Sequence, residues 1–420
     1  MTRLPLLRRQ DDYYRYFTAV DVGTDLIKVL VVRREEDGSG TVIGVGREPQ
    51  RAEAMSGGAV ADLDAVIDST NRALEAAEDM AETVPGQAVV GIAGELVRGF
   101  SSSAQSPRPK PDSQVDRREM RELLTLVEKR ALREAQHLLE LERGYGDLEA
   151  RLVHSSVTQV RIDGYPVTTP VGFQGRSLDI SVFNTFAPAT QIAALESVMK
   201  ELDLELMGSV CGPYALARAC ATADNYKEGA IYVDVGGGTT DVALVREGGV
   251  QGTRMFNLGG RAFSRRLALA FGISYDEAEA RKIRHSEGLL PAEQEQRVHQ
   301  LVQEDVEVLL QGLALALQDL SQGQGLPSGM FYGGGGSLLP EILEQTNQEV
   351  WWKGLPFVRP PKARLLEPGD VESLKDTTGE LRSARDVGPM GLADHALRMA
   401  AEDKDLNQGV MRGVIKSLKA

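Results

Sequence analysis

The chain has 420 residues, of which 42% are hydrophobic and 26% charged, and its formal net charge is -14. A chain of this length exceeds the size at which single hydrophobic cores usually stop growing, so we expect a soluble globular protein with at least two lobes. The acidic balance argues against a nucleic-acid-binding platform, because binding to phosphates needs a basic face.

The cysteines and the N-terminal residues indicate the cellular compartment. Cys211 and Cys220 lack the CxxC spacing and the nearby histidines of a metal site, so we interpret them as ordinary thiols of a reducing compartment. The first residues, MTRLPLLRRQDDYYRYF, contain too short an apolar run for a signal peptide. No segment approaches the ~18 apolar residues of a membrane span, and we expect a cytosolic protein.

Strand-like and helix-like segments alternate along the chain, which predicts an α/β protein. The elements predicted in the first part of the chain are strands at 17–22, 27–33 and 41–46, an amphipathic helix from Asp62 onward, and a strand at 87–94. Residues 101–115 are polar and rich in proline, so they are predicted to form an exposed loop. Residues 116–142 are predicted to form a long and mostly solvated helix.

The second part of the chain repeats a unit of the first. Its predicted elements are strands at 153–164 and 177–184, a helix at 188–203, and a strand, turn and strand at 230–250. This last unit has the same order of elements as residues 17–33. The internal similarity predicts two related lobes.

Two glycine turns carry the chemistry, VDVGT at 20–24 and VDVGGGTTD at 233–241. Glycine allows backbone N–H groups to approach phosphate oxygens closely, and threonine hydroxyls add uncharged donors. Because Mg²⁺ usually takes one or two protein carboxylates, we predict that Asp21 and Asp234 hold this ion across a cleft. The residues predicted to surround the phosphates are Gly23, Thr24, Gly236, Gly237, Gly238, Thr239 and Thr240.

A third glycine cluster lies in FYGGGGSLLPEI at 331–342, where a predicted strand runs into Gly333–Gly336 before a helix begins. A turn of bare backbone allows a flat base or a ribose to lie against it. A flexible connection between a strand and a helix would have the same sequence. Both interpretations stay open at this point.

These turns resemble those of the actin and sugar-kinase nucleotide-binding fold, and within it the FtsA family of bacterial cell-division proteins. Residues 87–94 and 157–180 resemble the edges of the inserted subdomain called 1C in that family. The stretches YDEAEARKIRHSEG and FNLGGRAFSRRLA resemble its acidic helix and its glycine-pair hinge. The resemblance spans roughly residues 17–397.

The resemblance implies a two-lobed actin-like α/β fold with an inserted 1C-type subdomain. The implied parts are an N-terminal tail at 1–16, a first lobe at 17–85 and 179–227, the inserted subdomain at 86–178, a second lobe at 228–398 whose smaller subdomain covers about 259–328, and a linker with a candidate membrane helix at 399–420.

The resemblance also implies a ligand and a biological role. Glu279 and Lys282 would contact the ribose and adenine of ATP, with the hinge residues Gly259 and Gly260 beside them. The adenosine would lie on Gly334, Gly335 and Gly336. Thr239 or Asp241 would orient a water for a hydrolysis that is slow at most. The expected partners are FtsZ, further copies of the chain in a filament, and the inner face of the cell membrane at the division site, with no nucleic acid.

The sequence departs from the family pattern in the first turn and in the hinge. Asp25 and Leu26 stand where the family usually has a small residue and then lysine. A carboxylate beside a phosphate weakens ATP binding unless its side chain points away, and both orientations remain open. Arg265 and Arg266 stand where the family tends to have a polar and an acidic residue.

Rival functions of the same superfamily make different demands on the sequence. A PilM-like scaffold for pilus assembly is the main alternative, because its first turn often has isoleucine and lysine at the positions of Ile27 and Lys28. A small-molecule kinase needs a charged group for its acceptor, and the stretch MGSVCGPYALARAC, expected to cross the cleft, has no carboxylate. A heat-shock chaperone needs a large substrate domain after the lobes, and residues 399–420 are too few to form one.

The last residues, NQGVMRGVIKSLKA, predict an amphipathic helix. Its apolar face would consist of Val410, Met411, Val414, Ile415 and Leu418, with Arg412, Lys416 and Lys419 beside it. Apolar residues with basic neighbours are typical of a helix that lies in the headgroup region of an anionic membrane. The alternative is that this face packs on the second lobe. The segment separates the two leading hypotheses, because FtsA carries a membrane helix there and PilM does not.

Overall fold

A computed structural model of the protein describes residues 15–51, 53–143 and 149–404. In these residues the strands are β1 (Tyr16–Val22), β2 (Leu26–Arg34), β3 (Gly40–Pro49), β4 (Met55–Ser56), β5 (Ala59–Val60), β6 (Gln87–Ile92), β7 (Arg98–Pro107), β8 (Ala150–Ile162), β9 (Tyr165–Pro166), β10 (Ser177–Pro188), β11 (Glu205–Cys211), β12 (Ala230–Val235), β13 (Thr240–Arg246), β14 (Gly249–Phe256), β15 (Gly329–Gly333), β16 (Lys362–Leu365) and β17 (Leu374–Asp376).

The helices of the same residues are α1 (Leu63–Ala81), α2 (Arg117–Arg143), α3 (Ala189–Glu201), α4 (Gly212–Cys220), α5 (Ala223–Glu228), α6 (Gly260–Phe271), α7 (Tyr275–Ser286), α8 (Ala292–Ser321), α9 (Pro340–Thr346), α10 (Glu349–Trp352) and α11 (Val387–Lys404). None of the helices in the described ranges is both long and apolar enough to cross a membrane.

The first lobe is built on a six-stranded sheet with the order β11-β6-β1-β2-β3-β17. β1, β2 and β3 form the antiparallel meander that the sequence predicts, and β6 lies parallel to β1 and β11. α1 packs on β2 and β3. It approaches β3 closely because Gly44 and Gly46 have no side chain, and a Cβ on either glycine would overlap the helix backbone.

The second lobe is built on a nine-stranded sheet with the order β16-β15-β12-β13-β14-β7-β10-β8-β9. The β12–β13 hairpin repeats the β1–β2 hairpin, as the internal similarity predicts. α8 packs on β13 and β14, and its leucines and valines bury the second core together with Ile231, Val233 and Tyr332. α6, α7, α9 and α10 pack around α8.

An inserted module follows β6. α2 packs on β7, β8 and β10 over a separate small core that includes Leu124, Val127 and Ile180. The module extends the second sheet, because β7 pairs with β14 at Phe100 and Gly99.

Both boundaries of the inserted module differ from the predicted ones. β6 lies between β1 and β11 in the first sheet, so the insertion begins after Ile92 rather than at residue 86. A run as continuously apolar as β6 is typical of a strand buried in a parallel arrangement. At the other edge, β10 pairs with β8 as far as Pro188, so the module continues past residue 178.

The polar stretch at 101–115 was wrongly predicted to be a loop throughout, because β7 continues to Pro107. Ser101, Ser102 and Ser103 pair with β10 through their backbones. The Ser101 hydroxyl also donates to the Val250 carbonyl at 2.9 Å. Backbone pairing with β10 satisfies this stretch whatever its side chains are, so the serine composition did not indicate a strand.

The last described residues, from β17 onward, belong to the first lobe. The sequence predicted that they belong to the second lobe as far as residue 398. β17 pairs with β3, and α11 packs on β1 and α4. Leu374, Met390 and Leu397 join the first core, and this burial holds the segment there. α11 takes up the first residues of the predicted linker, and the candidate membrane helix lies outside the described residues.

Candidate functional site

A cavity of about 590 Å³ lies where the three glycine turns meet. Its volume is in the range of ligand pockets, ~300–1,000 Å³. The predicted site residues that line it are Asp21, Gly23, Thr24, Asp234, Gly236, Gly237, Thr239, Asp241, Gly260, Glu279, Lys282, Gly334, Gly335 and Gly336. The structure therefore brings residues from both hairpins, α6, α7 and the end of β15 to one place.

Three predicted site residues shape the turns and do not line the cavity. The Thr240 hydroxyl is buried and donates to the Leu258 carbonyl at 2.7 Å. Gly238 packs against Thr24, since a Cβ on this glycine would lie 2.7 Å from the threonine methyl group. Gly259 fits against the second turn, where a Cβ would lie 2.6 Å from the Gly236 carbonyl oxygen.

The hairpin registers explain which charged groups face the cleft. Asp21 lies opposite Lys28 in the first hairpin, and Asp234 lies opposite Asp241 in the second. The Lys28 ammonium lies 3.2 Å from Asp21 Oδ2. The first hairpin is thus charge-balanced at this position, whereas the second presents two carboxylates.

Asp21 and Asp234 face one point from opposite lobes. Gly388 lies beside them in the first turn of α11, and a Cβ on it would lie 3.5 Å from Asp234 Oδ2 and 4.0 Å from Asp21 Oδ2. The absence of a side chain at Gly388 leaves the space between the carboxylates open. The arrangement agrees with the predicted pairing of the two aspartates across a cleft.

Electrostatics in this part of the cleft favour a cation. Burial raises the pKa of Asp234 to about 6, and the Asp21 charge adds to this effect while Lys28 opposes it. Burial raises the pKa of Asp241 well above its usual value, with further contributions from Asp234 and Asp21. Asp241 Oδ1 is buried and makes no hydrogen bond with the described residues. Carboxylate oxygens held close together, one of them with no hydrogen-bond partner among the described residues, are a donor set that fits Mg²⁺.

The third turn forms part of the cleft wall. Gly334 has φ of +83°, and a Cβ on it would overlap Asp234 Oδ1. Its N–H donates to the Ala384 carbonyl at 3.0 Å, which brings the neighbouring Arg385 to the cavity. Only glycine combines this conformation with so close an approach to the carboxylate.

The other end of the cavity is formed by α6 and α7. The Lys282 ammonium donates to Glu279 Oε2 at 2.8 Å and to the Gly260 carbonyl at 3.0 Å. The Ser264 hydroxyl donates to the same Glu279 oxygen. The three-residue spacing of Glu279 and Lys282 puts both on one face of α7, whose N-terminus is fixed by the Ser274–Glu277 capping box.

Asp25 forms an ion pair across the cleft. Arg261 Nε donates to Asp25 Oδ1 at 2.9 Å, and the arginine side chain is 10% exposed whereas the aspartate is 42% exposed. A Cβ on Gly237 would overlap the Asp25 side chain, so the first and second glycine turns are in direct contact. Asp25 is therefore turned toward the other lobe and lines the cavity, and its orientation relative to bound phosphates stays a prediction.

Several residues that line the cavity were not predicted from the sequence. Arg261 could have been found, because it directly follows the glycine pair in the first turn of a helix. Arg385 carries no such signal, since it reaches the cavity only through the return of the chain to the first lobe. Arg265 lines the cavity, whereas Arg266 pairs with Asp305 at 3.0 Å.

The stretch MGSVCGPYALARAC forms part of β11 and all of α4, and it does not line the cavity. The expectation that it crosses the cleft is therefore wrong. α4 is buried between the two sheets, where it contacts α11, β12 and β13. The carboxylates of the cleft come from the hairpins instead.

Comparison with known proteins supports the resemblance seen in the sequence. The family model for cell division protein FtsA matches residues 231–379. Cell division protein FtsA of Neisseria meningitidis serogroup B is 24% identical over 271 residues, covering 64% of the chain and 61% of the relative. Cell division protein FtsA of Pseudomonas aeruginosa is 26% identical over 273 residues, covering 65% of the chain and 61% of the relative. The match thus spans less than two thirds of these curated relatives.

Among solved structures, the PilM-PilN type IV pilus biogenesis complex contains a chain with a TM-score of 0.64 and 15% identity. The likeness covers 90% of the protein and 98% of that chain. At this identity it shows the fold alone. The predicted actin-like fold and the suspected similarity to FtsA are both confirmed.

Proposed function

We propose that the protein is a divergent FtsA-type scaffold of bacterial cell division that binds ATP with Mg²⁺ in the cleft between its lobes. The observation that carries the proposal is the convergence of Asp21 and Asp234, from two matched hairpins, on the space beside Gly388. The FtsA relatives in sequence favour this role over a PilM-like scaffold, whose structural likeness concerns the fold alone.

Each part of the cleft has a role in the proposed complex. Asp21 and Asp234 would hold Mg²⁺, which supplies the positive charge that both the buried carboxylates and the phosphates need. The backbone N–H groups around Gly23 and Gly236 would donate to the phosphates. The predicted nucleoside contacts, Glu279 and Lys282, line the other end of the cavity.

Hydrolysis, where it occurs, would be slow. Asp241 and Thr239 are the groups placed to orient a water, and both line the cavity. Burial raises the pKa of Asp241 well above its usual value, which makes the ionised carboxylate a stronger base than an ordinary aspartate. Nucleotide would act mainly by favouring one closure of the lobes over another.

We also propose the assembly role from the family. FtsZ, further copies of the chain in a filament and the inner face of the cell membrane are the proposed partners. Similarity to curated FtsA proteins supports this set. Co-sedimentation of the full chain with FtsZ filaments tests it, and absence of binding together with binding to a pilus-assembly protein would favour the PilM-like alternative.

The test of the cleft is isothermal titration calorimetry with ATP and Mg²⁺. Replacing Asp21 or Asp234 by alanine should weaken Mg²⁺-dependent ATP binding by at least about tenfold, ~1.4 kcal/mol. Because the raised pKa of Asp234 makes its charge unfavourable to folding at neutral pH, its removal should leave the fold intact.

The matched control is Asp79→Ala, which removes an exposed aspartate from α1. This variant should bind ATP as the unmodified protein does. Unchanged affinity in both cleft variants would exclude the proposed site.

A further inference from the structure

A cluster of two histidines and a glutamate lies among α7, α8 and α9, outside the residues that line the cleft. His285 Nε2 lies 2.7 Å from Glu341 Oε1, and His299 Nδ1 lies 2.6 Å from the same oxygen. One ligand atom from each of the three side chains lies within 4.8 Å of the others. Two nitrogen donors and one oxygen donor thus converge from three separate helices.

The cluster is buried on one side and open on the other. The side chains of His285 and Glu341 are each 1% exposed, whereas the His299 side chain is 40% exposed. Glu341 Oε2 is buried and makes no hydrogen bond with the described residues. A buried carboxylate with an unsatisfied oxygen is costly unless a further positive group compensates it.

Glu295 supplies a second carboxylate to His285. Glu295 Oε1 lies 2.9 Å from His285 Nδ1, on the opposite side of the ring from Glu341, but the contact lacks hydrogen-bond geometry and Nδ1 has no hydrogen-bond partner among the described residues. A neutral imidazole can donate through only one of its nitrogens. In the tautomer with its proton on Nδ1, the nitrogen that faces Glu295, the lone pair on Nε2 faces the Glu341 carboxylate, and a cation between them would be held by both groups.

We propose that His285, His299 and Glu341 form a binding site for a divalent transition metal ion of the zinc type. Two imidazoles and a carboxylate are a donor set that suits Zn²⁺, and the exposed side of His299 leaves a fourth position for water. Glu295 would fix the ring and the tautomer of His285 through Nδ1, as outer carboxylates do for metal-binding histidines.

The spacing of the donors permits this occupant. Ligand atoms of a tetrahedral zinc ion lie about 3.3 Å apart, given metal–ligand distances of ~2.0–2.1 Å. Metal binding would therefore move the two nitrogens about 0.6–0.7 Å further from Glu341 Oε1 than their present distances of 2.7 and 2.6 Å. The half-exposed His299 can make this movement at little cost in packing.

The ion would join two elements of the cavity wall, α7 and the glycine turn that precedes α9. α7 carries Glu279 and Lys282, and α9 follows the Gly334–Gly336 turn, so both helices lead directly into the cleft. A metal between His285 and Glu341 would hold these two elements together. The inference rests on the side chains alone and does not depend on nucleotide binding.

The experiment uses the full chain after treatment with a chelator, titrated with ZnCl₂ in a calorimeter and with Co²⁺ in an absorption spectrometer. We expect one equivalent of Zn²⁺, a rise in the melting temperature on binding, and the visible absorption of four-coordinate Co²⁺. His299→Ala should lower the affinity for Zn²⁺ at least tenfold, and Glu341→Gln should do the same.

The matched control is His137→Ala, which removes an exposed histidine from α2. It should retain the affinity and the thermal shift of the unmodified protein. His299 is exposed enough for its alanine variant to fold, and a circular dichroism spectrum checks this. Absence of stoichiometric binding would show that only a proton links the cluster, and equal binding by His299→Ala would place the metal elsewhere. Either result overturns the proposal.

Discussion

At the scale of single residues, the β1–β2 and β12–β13 hairpins have the same backbone arrangement and differ in the charge at one position. The position opposite the cleft aspartate is Lys28 in the first hairpin and Asp241 in the second. The shared glycines and threonines allowed the sequence to predict both turns and the apposition of Asp21 and Asp234. It could not predict that Asp25 pairs with Arg261, because that contact depends on how the lobes approach each other.

Replacing Asp25 by serine should tighten the binding of ATP with Mg²⁺. The change removes a carboxylate from the phosphate turn and releases the Arg261 guanidinium from its 2.9 Å pairing, so that it can face a phosphate. We expect a gain of about tenfold, ~1.4 kcal/mol, in calorimetry.

The control for this change is Asp79→Ser on the surface of α1, which should bind like the unmodified protein. Unchanged or weaker binding by Asp25→Ser would mean that the phosphates do not approach this turn. The result is interpretable even when hydrolysis is undetectable, because it measures binding alone.

At the scale of elements, the local sequence pattern predicted the pairing of strands that follow one another along the chain. The positions of the other strands depend on long-range pairing. β1, β2 and β3 follow one another in sequence and in the sheet, so their runs of apolar residues sufficed. β6 and β17 enter the first sheet from distant parts of the chain. No local signal distinguishes such strands from members of the insertion or of the second lobe, and their assignment failed for that reason.

The third glycine turn should tolerate no side chain. Gly334→Ala forces a residue at φ of +83° and places its methyl group on Asp234 Oδ1, so we expect a loss of roughly 2 kcal/mol or more in stability. The melting temperature, followed by circular dichroism, should fall by several degrees.

Gly354→Ala is the matched control, since a Cβ there meets no atom within 4 Å and φ lies outside the left-handed region. This variant should melt close to the unmodified protein. Equal melting temperatures for the two variants would show that the turn is less constrained than its packing indicates.

At the scale of the whole molecule, the lobes share a core on one side and meet through a few contacts on the other. α4 contacts strands of both sheets and α11, and the first core includes Tyr232 and Val245 of the second lobe. On the opposite side the cleft is closed by the Asp25–Arg261 pair and the contact between the turns. Movement of the lobes would therefore open the cleft side while the shared core keeps them joined.

The full chain should sediment with vesicles that contain anionic lipid, and a version ending at Asn407 should not. The reason is the apolar face predicted for residues 410–418 and the basic residues beside it, whose charge is opposite to the net charge of -14. Ile415→Asp should abolish sedimentation, because it places a carboxylate in the centre of that face. Neutral vesicles should bind more weakly, since the electrostatic attraction is absent.

Val308→Asp provides the matched control for the charge that Ile415→Asp introduces. Val308 is 53% exposed on α8, so its replacement adds an equal charge at an exposed position outside residues 410–418. This variant should sediment like the full chain. Equal sedimentation of the full and shortened chains would mean that the apolar face packs on the protein itself. The membrane link would then have to come from a partner, as the PilM-like alternative requires.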